Sequence, residues 1–221
     1  RLAKHGQAWF SKEQTKGKGQ RGKSWESAAG ENIILTVALQ PPVAFKPGIF
    51  TFNALIALAC VEFLSKLAES DFFFIKWPND LYVRDRKAGG ILIENVIQGE
   101  KWSWALVGVG ININQIVFPN SATNAISLQQ LTGKSYDVEE LSRHLHQQII
   151  ATIDSAAGKD ETKILQDYNL RLYKKDNIVR LKKSNAIFST TLTRVNKFGQ
   201  LLTHDVIERS FSFGEVELLR D

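Results

Sequence analysis

Apolar positions along this chain fall into runs of three kinds, each predicting a different element. From Ile33 to Leu39 both faces are apolar and Pro41-Pro42 ends the run, so a strand buried on both sides is expected. From Thr51 to Leu67 the apolar residues Phe52, Leu55, Ile56, Ala59, Phe63 and Leu67 recur at helical spacing, which predicts a helix packed on a sheet. Phe72 to Trp77, Ile91 to Ile97 and Trp102 to Val109 are further strand candidates separated by short turn-rich stretches. Helical spacing returns over Val138 to Ala157 and Lys163 to Tyr173. Beyond Lys174 the pattern changes to short alternating segments: Ile178 to Leu181, Phe188 to Leu192, Gln200 to Leu202 and Val216 to Leu219. The whole reads as α+β: a mixed or antiparallel sheet with packed helices over 1–173, followed by a small β-barrel over 174–221.

With 221 residues and 43% hydrophobic content, the chain can bury one large core with room for a small module. The run Ile33 to Leu39, broken by Thr36, is far shorter than the roughly 20 residues that span a bilayer. Neither a membrane segment nor a signal peptide is therefore expected. Cys60 is the single cysteine, which excludes a disulfide framework, suits a cytoplasmic protein and predicts a buried, inert thiol. The formal charge of +5 is uneven, because residues 1–23 carry seven cations (Arg1, Lys4, Lys12, Lys16, Lys18, Arg21, Lys23) against Glu13. Such a focus suits a polyanion, although a solvated basic face has the same composition.

Within that focus, Gly17-Lys18-Gly19-Gln20-Arg21-Gly22-Lys23-Ser24 matches both a dinucleotide fingerprint and a P-loop. Both motifs need a buried strand before the loop and a helix directly after it. The residues before are polar (Lys12 to Lys16), and only Trp25 to Ala29 separate Ser24 from Gly30. What remains is a backbone free to approach an anion, with cations beside it. The histidines offer no metal site: His144 and His146 are two apart on a predicted helix and do not face each other.

Four stretches stand together: Gln14 to Trp25, Lys76-Trp77-Pro78-Asn79-Asp80, Lys87-Ala88-Gly89-Gly90-Ile91-Leu92-Ile93-Glu94, and Val107-Gly108-Val109-Gly110-Ile111-Asn112-Ile113-Asn114. In this order and approximate spacing they resemble the catalytic domain of biotin protein ligases, and 177–221 resembles that family's SH3-like C-terminal barrel. The resemblance implies a class II synthetase-like fold and two half-reactions. Biotin is first activated with Mg²⁺ and ATP as biotinyl-AMP, then transferred to a lysine of a biotin carboxyl carrier domain. It implies Lys87 and Arg21 as catalytic residues, with Lys87 between the biotin carboxylate and the α-phosphate. Biotin would meet Gln14, Gly17, Lys18, Gly19, Gln20, Lys87, Gly90 and Gly108, with Gly108 and Gly110 leaving room for ligand. ATP and the adenylate would meet Lys18, Arg21, Lys23, Trp25, Asn79 and Asn112, and Asp80 would bind Mg²⁺, as hard oxygen donors do. The mixed anhydride is already activated, so the second half-reaction needs no strong protein base.

The chain departs from the family pattern at Gln20, where many members carry an arginine that helps hold the adenylate. Phe118 is a weak stand-in for a tryptophan that some relatives fold over adenine. A Ser-Thr-Asn segment touching biotin would precede Arg1. No winged-helix region is seen, so the expectation is a ligase without repressor function, with a homodimer left open. A lipoate-protein ligase of the same fold is the nearest alternative. A nucleic-acid-binding protein is a more distant one, since the basic run has no interleaved aromatics. The cluster Arg171, Lys174, Lys175, Arg180, Lys182 and Lys183 is expected to meet an acidic carrier.

Overall fold

The computed structural model describes residues 3–41, 48–156 and 158–220. Pro42 and Ala157, at the ends of two expected elements, lie outside the described residues, as do Arg1 and Asp221. Strands β1 (Gln7–Phe10), β2 (Asn32–Leu39), β3 (Phe73–Lys76), β4 (Asp80–Val83), β5 (Arg86–Gln98) and β6 (Lys101–Asn112) form a six-stranded sheet in the order β1-β2-β6-β5-β4-β3. All five of its strand pairs are antiparallel. Long runs of alternating apolar residues set the register: Ile33, Leu35, Val37 and Leu39 of β2 and Ala105, Val107, Val109 and Ile111 of β6 are buried. Their pairing is Ile33 with Ile111 through Leu39 with Ala105.

One face of this sheet is covered by helices. Helix α1 (Ile49–Ala68) packs against β3, α3 (Val138–Asp154) and α4 (Glu161–Leu170). At 20 residues with a mean hydropathy of 1.6, α1 is long and apolar enough to cross a bilayer, contrary to the expectation drawn from uninterrupted apolar runs. Its buried residues, Phe52, Ile56, Cys60 and Leu64 among them, instead join one core with the sheet. Burial pushes the Cys60 thiol up to about 12, which keeps it protonated and inert. Local chemistry fixes the helix starts. The Asp137 carboxylate accepts from Glu139 and Glu140 N–H, the Asp160 carboxylate accepts from Thr162 N–H, and Ser127 and Gln130 form a capping box on the short α2 (Leu128–Thr132).

Strands β7 (Ile178–Lys183), β8 (Ala186–Val195), β9 (Leu201–His204), β10 (Glu208–Phe211) and β11 (Glu217–Leu218) form a second antiparallel sheet in the order β10-β9-β8-β7-β11. Side chains of the first region grip its backbone. The Asn169 amide donates to Val195 O at 2.9 Å and accepts from Val195 N at 2.7 Å, and Trp77 Nε1 donates to Gly199 O at 2.9 Å. The same hydrophobic core runs on through Leu181, Leu192, Val195 and Phe211.

Candidate active site

Where the two sheets meet, a cavity of about 580 Å³ opens on the face of the larger sheet away from α1. Gly90, Leu92 and Gly108 of the β5–β6 wall line it, with Gly19 to Arg21 and Lys23 to Trp25 from the glycine-rich loop, and Phe213, Gly214, Val216, Glu217 and Leu218 from the second sheet's end. A second hollow of about 850 Å³ adjoins it, lined by Lys23, Trp25, Tyr82, Asn112, Phe118, Asn124 and Arg220 among others. Lys76, Asp80 and Lys87 line both.

The loop is a tight hairpin. Trp25 N–H donates to Gly17 O at 2.9 Å, Gly19 N–H to Lys23 O at 2.6 Å and Lys23 N–H to Gln20 O at 3.2 Å. Three amides that an anion could have used are thus spent inside the loop. At Gly17 a Cβ would come 2.3 Å from Trp25 O, so this glycine serves the hairpin's own closure. Its tip turns through the left-handed region at Arg21 (φ 55°) and Gly22 (φ 74°). Arg21 Nη1 donates to Gly214 O at 3.1 Å, and its guanidinium lies 6.0 Å from the Phe213 ring. The Trp25 indole lies on Gly110, where a Cβ would come within 2.6 Å of the ring. Gly110 therefore makes room for Trp25 rather than for a ligand. Trp25 Nε1 and Gln20 Oε1 are buried without a protein partner.

Lys87 is held by its backbone before its side chain acts. Its N–H donates to Asn124 O at 2.8 Å, its carbonyl accepts from Ile126 N–H at 2.9 Å, and the buried Asn112 amide donates to that carbonyl at 3.3 Å. The ammonium lies 2.6 Å from Asp80 Oδ1 and 5.8 Å from the Trp25 ring centroid. Gly90 keeps this pair accessible, since a Cβ there would sit 3.4 Å from Asp80 Oδ1 and 3.6 Å from Lys87 Nζ. Beside them Lys76 Nζ donates to the Tyr82 hydroxyl at 3.4 Å. Burial pushes the Lys76 pKa down, Asp80 opposes this, and Arg220 and Lys87 reinforce it. Burial and then Asp80 push the Tyr82 phenol up.

A family model described as the biotin/lipoate A/B protein ligase family matches residues 2–112. The chain belongs to this family. Across 97% of its length it is 30% identical to the bifunctional ligase/repressor BirA of Escherichia coli, of which it spans 67%. It is 33% identical to the biotin–[acetyl-CoA-carboxylase] ligase of Paracoccus denitrificans over 61% of the chain and 58% of that relative. Its fold superposes on a biotin protein ligase from Aquifex aeolicus solved with biotin and ATP, with a TM-score of 0.83, 25% identity, and coverage of all of this chain and 92% of that one.

Most of the residues that the family resemblance singled out converge. Gly19, Gln20, Arg21, Lys23, Trp25, Asn79, Asp80, Lys87, Gly90 and Gly108 line the first cavity, and Asn112 lines the second. Gln14, Gly17 and Lys18 do not line either one, and Gln14 and Lys18 face solvent. Asn79 is largely occupied within the fold: its amide donates to Ile91 O at 2.6 Å. Asp80, the expected Mg²⁺ ligand, is the counter-ion of Lys87, and among the described residues no three His, Cys, Asp or Glu side chains converge on a metal position. The basic cluster divides, because Arg171, Lys174 and Lys175 pair with Asp71, Asp85 and Asp176 while Lys182 stands opposite Glu217 in the sheet. Sequence reasoning missed Tyr82, Phe213, Glu217 and Arg220. A strand too short to show a period carries Tyr82, and the last three reach the site only through tertiary contact.

Proposed function

We infer that the chain is an ATP-dependent biotin protein ligase, forming biotinyl-AMP and passing biotin to a lysine of a carrier domain. The reading rests above all on one observation: Lys87 borders both hollows, so reactants bound in each would meet at its ammonium. The hollow lined by Gly19, Trp25, Gly90 and Gly108 suits the acid substrate, and the one lined by Lys23, Asn112 and Arg220 suits Mg-ATP. Mg²⁺ enters with the triphosphate as part of the substrate. Residues 1–173 then form the catalytic domain and 174–221 the SH3-like module that completes its wall.

In the activation step a carboxylate oxygen bonds to the α-phosphorus and pyrophosphate leaves. Two anions must approach, and a cation about 4 Å away offsets roughly 4 kcal/mol at an effective dielectric near 20. That is about three decades of rate when fully expressed in the transition state. At rest the charge of Lys87 is answered by Asp80; incoming carboxylate and phosphate oxygens compete for it. The unpartnered Trp25 Nε1 and Gln20 Oε1 offer a donor and an acceptor to a polar ring system. Arg21 anchors the loop to the second sheet rather than standing free for phosphate.

The deciding experiment is ATP–pyrophosphate exchange with biotin or lipoate as the acid. Exchange with biotin is expected. Exchange with lipoate but not biotin would assign the chain to the family's lipoate branch.

A further inference from the structure

The cavity holds a second lysine that the activation step does not use. Lys76, the last residue of β3, lines both hollows. Its surroundings come from every adjoining element: Asp80 and Tyr82 on β4, Lys87 on β5, Lys23 on the loop, and Glu217 and Arg220 at the C-terminal wall. Lys87 is locked to a carboxylate at 2.6 Å, whereas the hydrogen-bond partner of Lys76 is a phenol, and its Nζ also lies 5.0 Å from that ring's centroid. A half-buried ammonium without a tight carboxylate partner is more costly to keep charged than a paired one. Lys87 and Lys76 are thus prepared for opposite roles, one as a fixed cation and one as a group able to lose and gain a proton.

Acyl transfer has use for the second kind. The acceptor lysine's nitrogen bonds to the acyl carbon, the bond from that carbon to the AMP oxygen breaks, and AMP departs with the electron pair. The nitrogen, an amine before and an amide after, must shed one proton. An activated anhydride removes the need for a strong base, but not the need for a place to put that proton. We propose that Lys76 Nζ, held against the Tyr82 hydroxyl, is the proton acceptor of the transfer step. This rests on the adenylate-forming reading above.

Positioned general bases contribute about 10²–10⁴-fold. Single-turnover transfer from synthetic biotinyl-AMP to a biotin carboxyl carrier domain should therefore slow about 100-fold in Lys76→Gln. Lys76→Arg, which keeps the charge but cannot give up its proton, should be slowed alike. Biotin-dependent pyrophosphate exchange should fall by about tenfold less than transfer in both variants, because activation needs no proton acceptor. In the parent, transfer rises with pH through two limbs, one from the acceptor lysine's own ammonium and one, at lower pH, from Lys76, since only neutral amines attack or accept; both variants should keep the first and lack the second. Hydroxylamine, already neutral at pH 7, should attack the bound adenylate equally fast in all three proteins. Restoration of transfer by Lys76→Arg, equal losses in both half-reactions, or a pH profile of transfer left unchanged in shape by substitution would overturn the proposal. Matching thermal unfolding curves would exclude a folding defect as the cause of any loss. A parent without biotin-dependent exchange would refute the ligase reading itself, a result distinct from each of these.

Discussion

The β5–β6 wall and the glycine-rich loop face each other across one cavity and are built on opposite terms. The wall presents Lys87 from a buried sheet whose strands are paired on both sides, with its backbone bonded to Asn124, Ile126 and Asn112. The loop is mostly exposed, closes on itself through a few amides and touches the rest of the protein through Trp25 on Gly110 and Arg21 on Gly214. Charge that must be accurately placed comes from the rigid side, and cover that must admit and release substrates comes from the other. That division agrees with the general observation that preorganised groups contribute most where charge develops.

The sharpest test of the division is Lys87→Ala. It removes the wall's cation, and exchange should fall by about three decades, with little change in thermal stability for a partly exposed side chain. Gly110→Ala tests the cover, because the new methyl would lie 2.6 Å from the Trp25 ring. The indole must shift, and the biotin KM should rise about tenfold, the equivalent of 1.4 kcal/mol of binding. Asn112→Ala tests what holds the wall. Two backbone carbonyls, of Lys87 and Ile126, lose a buried donor, and urea unfolding should show a loss of about 1–3 kcal/mol. Charge reversal at Lys182 and Lys183 touches neither side and should raise only the KM for the carrier; an unchanged KM would remove these residues from the docking surface.

The same contrast decides what could be read in the sequence. Strands β2, β5 and β6 and helices α1, α3 and α4 announce themselves because burial imposes a period on their side chains. The ends of β5 and β6 do not: in Arg86 to Gly90 and Gly110 to Asn112 only Ala88 and Ile111 enter the core, and the charged, amide and glycine residues between them leave no apolar period to read. β1, β4 and β10 hold four residues each, too few to show a period, and Glu208-Arg209-Ser210-Phe211 reads as surface loop. Lys87 and Asp80 could be picked out because motif order carries them. The role of Gly110 could not, for nothing local says that Trp25 will lie on it. Phe213 and Glu217 were out of reach for a simpler reason: they join the site from a distant part of the chain, as in the contact of Arg21 with Gly214 across 193 residues.

That last contact bears on when the enzyme becomes one. Part of the cavity wall is Val216, Glu217 and Leu218, so a ribosome-bound chain has no finished site until Leu218 has been added. Completed, the cavity ties early and late segments of the chain together. By linkage, a substrate at a hundred times its dissociation constant would add about 2.7 kcal/mol to the stability of the assembled fold. Saturation with biotin and ATP should accordingly protect the small C-terminal sheet from proteolysis.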